Sequence, residues 1–193
     1  MIFRLRIGIA ALALLGALVF STPGFAGGEV AFTGGSAAQR SQVSQALRAS
    51  SFDWSLLRDR VTVHIGQDFA SEARPGEVWL NGRLLDSGRF SWAVVQHEFA
   101  HQVDYQLLSS ETRAHFGQLL GGKDWCYEVP GLAHGEYGCE RFASTLSWAY
   151  WPKADNGMKP ASATDEAGAM KPAAFRAELA RALGQPALRN LRR

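Results

Sequence analysis

HEFAHQVD, residues His97 to Asp104, is the stretch on which the fold and the chemistry of this chain turn. His97 and His101 stand four residues apart. On a helix such side chains leave one face, with Cβ atoms about 5–6 Å apart. Their imidazoles can then close on one zinc ion at about 2.0–2.1 Å each. Glu98 lies ~100° further round the helix. It therefore points beside the ion, where a base takes a proton from water. The competing reading is a core helix carrying three satisfied polar residues. With 5 His and 10 Glu in 193 residues, a chance H-E-x-x-H is roughly a 0.7% event. Three ionisable groups on an apolar helix are also costly to bury unless paired or metal-bound.

The flanks supply that apolar helix. Arg89 to Leu108 contains no Pro or Gly, and Phe90, Trp92, Val94, Val95, Phe99, Val103, Leu107 and Leu108 surround it. A helix apolar on most faces is a buried one. Asp86 or Ser87 is placed to cap its start.

A catalytic zinc takes three protein ligands and leaves one position open. Six residues past His101 stands Leu107, so the long three-histidine pattern is absent. The remaining candidates are Glu136, Glu140, His134 and His115. Glu140 is favoured because it opens an expected helix, Cys139 to Trp151, whose next turns carry Ala143, Ser144 and Ser147. Small residues let two helices approach, so a carboxylate on one reaches a metal on the other. Asp104 shares the face of both histidines and is expected to accept the second ring N–H of a ligand. His64 and His115 are expected to be structural or exposed.

HEFAHQVD followed by ERFAS, residues 140–144, resembles the zincins whose third ligand is glutamate. The closest pattern is H-E-x-x-H-x-x-D with a later E-x-F-A, as in the anthrax lethal factor catalytic-domain family and the Mlc titration factor A peptidases. The resemblance spans about residues 77–151. It implies that His97, His101 and Glu140 bind one zinc ion, that Glu98 is the base, and that the reaction is peptide-bond hydrolysis. It also implies that a strand before the active helix, here EVWLN, lines the substrate. Two positions depart from the pattern. Ala133 stands where lethal-factor-like members carry a tyrosine that donates to the oxyanion, leaving His134, Tyr137 or Tyr127 to substitute. Ser144 stands where relatives use Asp to orient a ligand histidine, and a serine does so more weakly.

Outside this region the chain reads as one domain. Residues 1–26 have Arg4 and Arg6, an apolar run from Ile7 to Phe20 and small residues at Gly24 and Ala26. That is the pattern of a secretory signal peptide, too short for the ~20 residues of a membrane span. Residues 27–193 form the remaining unit. Removing the two leader arginines balances basic against the 18 acidic residues, which leaves no footprint for nucleic acid and no membrane association after signal removal. Cys126 and Cys139, an even pair in an exported chain, are expected to form a disulfide. Residues 27–36 read as a loose start, Gln39–Ser50 as a helix, and Val61–Ile65 and Glu77–Leu80 as strands. Asn81-Gly82 is a hairpin signal into RLL. Ser110–Leu120 reads as a helix, 122–138 as a loop, 153–171 as a surface loop and Pro172–Leu183 as a C-terminal helix. Trp79, Trp125 and Trp148 are candidates for the cleft, with a core or rim role the default.

The expected architecture is therefore α+β and zincin-like: a small mixed sheet packed on an active-site helix and a second, ligand-bearing helix. The expected function is a secreted or periplasmic zinc metallopeptidase acting on a peptide or protein. A non-catalytic zinc-bearing binding module, with His134 as fourth ligand, is one alternative. An amidase acting on a non-protein amide is another. Oligomeric state is not legible.

Overall fold

The computed structural model describes residues 29–184. The expected signal peptide lies outside the described residues. The Gly-rich start is not loose: β1 (Val30–Gly34) runs parallel to β2 (Val61–Gly66). Strict alternation in β2 turns Val61, Val63 and Ile65 inward, as a half-buried strand requires.

The hairpin falls one element earlier than expected. β3 (Glu72–Arg74) and β4 (Glu77–Asn81) are antiparallel and joined across Pro75-Gly76. Gly76 has φ +77°, the left-handed value that a turn with Pro first and Gly second demands. Asn81-Gly82 instead starts a helix, α2 (Gly82–Asp86), because the Asn81 side chain accepts from the N–H groups of Arg83 and Leu84. The sheet order is β1-β2-β4-β3, with β4 parallel to β2. EVWLN is therefore an interior strand, and β3 forms the edge.

α1 (Ala37–Ala49) begins at a capping box between Ser36 and Gln39. The helix that carries HEFAH, α3 (Trp92–Leu107), is shorter at its start than expected. Gly88 adopts φ +67°, and Ser87 and Ser91 donate to Leu84 O and Gly88 O. Those bonds hold tight turns where a first helical turn was expected. α4 (Ser110–Leu120) runs from a Ser109 cap to a left-handed Gly121. α5 (Gly138–Tyr150) and α6 (Pro172–Ala182) follow. Six α-helices and one four-stranded mixed sheet thus make an α+β fold among the described residues.

One core cluster joins the layers: Leu47 of α1, Val63 and Leu80 of the sheet, Phe99 and Val103 of α3, Phe142 and Leu146 of α5, and Phe175 of α6. α5 lies against α3 through its small residues, and Ser147 donates to Ala93 O at 3.0 Å. Gln102, fully buried, ties α3 to the hairpin turn. Its amide accepts from Gly76 N–H and donates to Arg74 O and Glu77 O. No described helix is long and apolar enough to cross a membrane. Residues 153–171 form the expected irregular surface loop, pinned to the core by the buried Asn156 and Ala167.

Candidate metal centre

α3 and α5 deliver the three expected donors to one point. His97 Nε2 lies 3.1 Å from Glu140 Oε2, and His101 Nε2 lies 3.3 Å from the same oxygen. The two Nε2 atoms are 3.3 Å apart. Each of the three residues is only 5% exposed. For a divalent ion bound at roughly 2.0–2.1 Å, the edge of a regular tetrahedron is about 3.3 Å. The three atoms therefore form one face of such a tetrahedron. Electrostatics agree, because an imidazole lone pair facing a second lone pair and a carboxylate oxygen needs a cation or protons between them. The residues fit a metal.

Glu98 stands beside this face. Its carboxylate and the two imidazoles offer atoms within 4.8 Å of one another. Burial pushes the Glu98 carboxyl above its ordinary range, against the pull of His97 and His101. It lines a cavity of about 360 Å³ together with Ser71, Glu72, Ala73, Tyr105, Tyr127 and His134. The edge strand β3, not the interior EVWLN strand, forms the wall opposite the helix.

No family model, curated protein or solved structure matches the chain.

Cys126 and Cys139 form a disulfide with Cα atoms 5.4 Å apart. Cys139 lies near His101 and Glu140, but its sulfur is tied up in the bridge and offers no thiolate. Gly138 N–H and Cys139 N–H donate to Asp124 O and Trp125 O, both at 2.7 Å. A side chain at Gly138 would meet the Trp125 ring at 2.8 Å. The start of α5, and with it Glu140, is thereby clamped to the preceding loop. That loop carries Tyr127, the one described non-glycine residue at positive φ (60°). Such a conformation is uncommon outside glycine and is often found where function constrains a side chain. Tyr127 donates to Glu140 Oε1 at 2.9 Å.

The other expected site residues divide. Ser144 meets His97 Nδ1 at 3.1 Å, as expected of a weak orienting group. His134 Nε2 lies 3.1 Å from Glu140 Oε2. Hydrogen bonds to Glu140 and Glu166 push the His134 imidazole up to about 10. Tyr137 is not in the cavity. It is buried under Tyr127 and donates to Val129 O, because the short turn before α5 faces it inward. Asp104 does not reach a ligand histidine. Its carboxylate accepts from Arg113 at 2.7 Å and from the Trp125 indole at 3.3 Å, while His101 Nδ1 is buried with no hydrogen-bond partner among the described residues. Glu136 pairs with Lys123 and Ala133 N–H, His64 with Glu77 and His115 with Glu178, all away from the centre. Trp79, Trp125 and Trp148 do not line the cavity.

Glu166 was not foreseen. It sits in the 153–171 stretch, among residues with no periodic signal, and touches both Ser144 and His134. Tyr105, on α3 one turn after His101, also lines the cavity and donates to Ala73 O. Its i+4 spacing from His101 was a readable signal.

Proposed function

We propose that this chain is an exported zinc-dependent endopeptidase of the glutamate-ligand zincin type. The observation that supports it best is the donor triangle of His97, His101 and Glu140 with Glu98 in the same cavity wall. Two imidazoles, one carboxylate and an open side are the donor set of a catalytic zinc. The disulfide favours an oxidising compartment.

His97, His101 and Glu140 would hold the zinc, which would supply polarisation of a peptide carbonyl and a lowered pKa for water at the site. This chain's residues do the rest. Glu98, with its raised affinity for protons, takes one from the attacking water as the O–C bond forms. It passes that proton to the leaving amine as the C–N bond breaks. The exposed His134 ring, drawn toward its charged form, donates to the carbonyl oxygen as that oxygen gains charge. Tyr127 holds Glu140 in place through its second oxygen. β3 offers an edge along the cavity to which an extended peptide adds as a strand.

A library of quenched peptides tests the reading, with wild type, Glu98→Gln and a chelated control. Glu98→Gln is expected to hold zinc at wild-type stoichiometry and to cleave about 10²–10⁴-fold more slowly. Undiminished cleavage by that variant removes the assigned base.

One observation favours a second reading, a non-catalytic zinc-bearing module. His134 Nε2 stands as near to Glu140 Oε2 as His97 does, so a neutral His134 would close the site as a fourth ligand. His134→Gln separates the two. Retained zinc with slowed cleavage supports the enzyme, and lost zinc with no cleavage in wild type supports the module.

A further inference from the structure

We propose that Glu166 is the positioning residue that fixes the ring orientation of both His97 and His134. The proposal rests on the metal-centre reading above. Glu166 belongs to neither ligand helix, yet its two oxygens reach both rings. Oε1 accepts from His134 Nδ1–H at 2.8 Å. Oε2 accepts from Ser144 Oγ–H at 2.7 Å, and Ser144 Oγ lies 3.1 Å from His97 Nδ1.

Proton counting sets the direction of this chain. An ionised carboxylate only accepts, and a serine hydroxyl has a single proton to give. Ser144 gives that proton to Glu166, so its lone pairs face His97. His97 must then carry its proton on Nδ1. Its Nε2 lone pair is left pointing at His101 and Glu140. His134 gives its Nδ1 proton to Glu166 directly, and as an imidazolium it keeps its Nε2 proton for the carbonyl oxygen. A carboxylate behind a ligand imidazole fixes its tautomer and raises its basicity. Here one carboxylate stands behind the His97 ring through a hydroxyl and orients the His134 ring directly. His101 Nδ1 has no such partner among the described residues.

The segment that carries Glu166 is held firmly. Arg141 of α5 donates to Asp165 O and to Gly135 O. Asp165 accepts from Ala161 N–H, Ser162 N–H and the Ser162 hydroxyl. A side chain at Gly135 would come within 3.0 Å of Glu166 Cγ, so the turn bearing His134 packs directly on this side chain. Residues 153–171 thereby act as a strap whose Glu166 carboxylate orients the metal centre.

The test compares full-length wild type, Glu166→Ala, Glu166→Gln and Ser144→Ala. Zinc affinity is read by competition with a chromogenic chelator. Imidazole Nδ1–H signals are read by long-range ¹H–¹⁵N NMR of the zinc-loaded protein, and circular dichroism of the metal-free protein monitors folding. Glu166→Ala is expected to weaken zinc by about 10–100-fold and to move the Nδ1–H signals of His97 and His134 upfield as their hydrogen bonds are lost or weakened, with His101 unchanged. Ser144→Ala should affect His97 alone and add less than its single effect to Glu166→Ala. If the alanine variant does not fold, Glu166→Gln decides, with weaker zinc and altered His97 and His134 signals expected. Wild-type affinity and Nδ1–H signals in a folded Glu166 variant overturn the proposal while leaving the metal centre intact. A wild type that binds no zinc overturns both.

Discussion

Tyr127 donates its hydroxyl to Glu140 Oε1 at 2.9 Å, on the carboxylate oxygen that the three imidazoles do not face. Glu140 is thus held from both sides, by a ring of nitrogens at Oε2 and by one phenol at Oε1. The phenol is in place only because Tyr127 accepts a left-handed backbone next to the disulfide. Tyr127→Phe is expected to weaken zinc retention about tenfold, the lower end for a hydrogen bond to a charged group at a half-open site. With saturating zinc, kcat should stay within about threefold, because the hydroxyl acts on a ligand. A fall of ~10²-fold or more with zinc unchanged would move Tyr127 to the carbonyl oxygen.

Protonation competes with the metal. In the metal-free protein, hydrogen bonds to Glu140 and Glu166 hold the His134 pKa at about 10, above the ordinary 6.5. Burial lowers the His97 value, but Glu140, Glu98 and Glu166 together raise it. A raised imidazole contributes stability that is fully present below pH 6.5 and is lost as pH climbs through the folded value. Glu140 is shifted the other way: burial opposes ionisation, but the three imidazoles prevail. Its contribution is present above pH 4.5 and fades below that. Chelated protein should therefore melt at steadily lower temperature from pH 6.5 to 10, and His134→Gln should flatten that slope. Zinc binding at pH 7.5 should release protons, measurable as a buffer-dependent binding enthalpy. A flat profile with no proton release would contradict the close histidine–carboxylate cluster.

Gln102 couples the β3–β4 hairpin to α3, the helix of His97 and His101. Replacing it with Leu leaves Gly76 N–H, Arg74 O and Glu77 O without their buried partner. Each unsatisfied group costs about 1–3 kcal/mol, so urea unfolding should show a loss of at least ~2 kcal/mol. Since the hairpin walls the cavity, KM for a peptide should rise more than kcat falls. Unchanged stability would mean that the turn does not depend on this side chain.

Reduction of Cys126–Cys139 opens a loop of 13-residue separation. The chain-entropy account puts the stability loss at about 3 kcal/mol. Because Glu140 follows Cys139 directly and Tyr127 follows Cys126, reduced protein should also lose zinc faster to a chelator. Equal zinc off-rates before and after reduction would separate the bridge from the metal centre.

Local signals were reliable where they depended on spacing along one element. The i, i+4 pair His97 and His101 and the small residues Ala143, Ser144 and Ser147 were legible because helical periodicity alone sets which face they share. Pro75-Gly76 was an equally strong turn signal and outranks Asn81-Gly82 in the fold, because Asn81 serves as a helix cap. An asparagine followed by glycine suits both roles, and the sequence context does not choose between them. Asp104 shows the limit of facial reasoning. It shares the helix face of the histidines, yet Arg113 and Trp125 bind both its oxygens, and those partners lie in other elements.

By itself the sequence determined the α+β class, the helix bearing His97, Glu98 and His101, and the pairing of Cys126 with Cys139. Each follows from periodicity, composition or counting within a short span. Only the tertiary structure decided that Glu140 meets the imidazoles at 3.1 and 3.3 Å, that β3 walls the cavity, that Tyr127 rather than Tyr137 faces it, and that Glu166 stands behind His97 and His134. Those contacts join groups that are distant along the chain or set by loop conformation. Their positions come from packing and hydrogen-bond satisfaction across several elements, which no local pattern encodes.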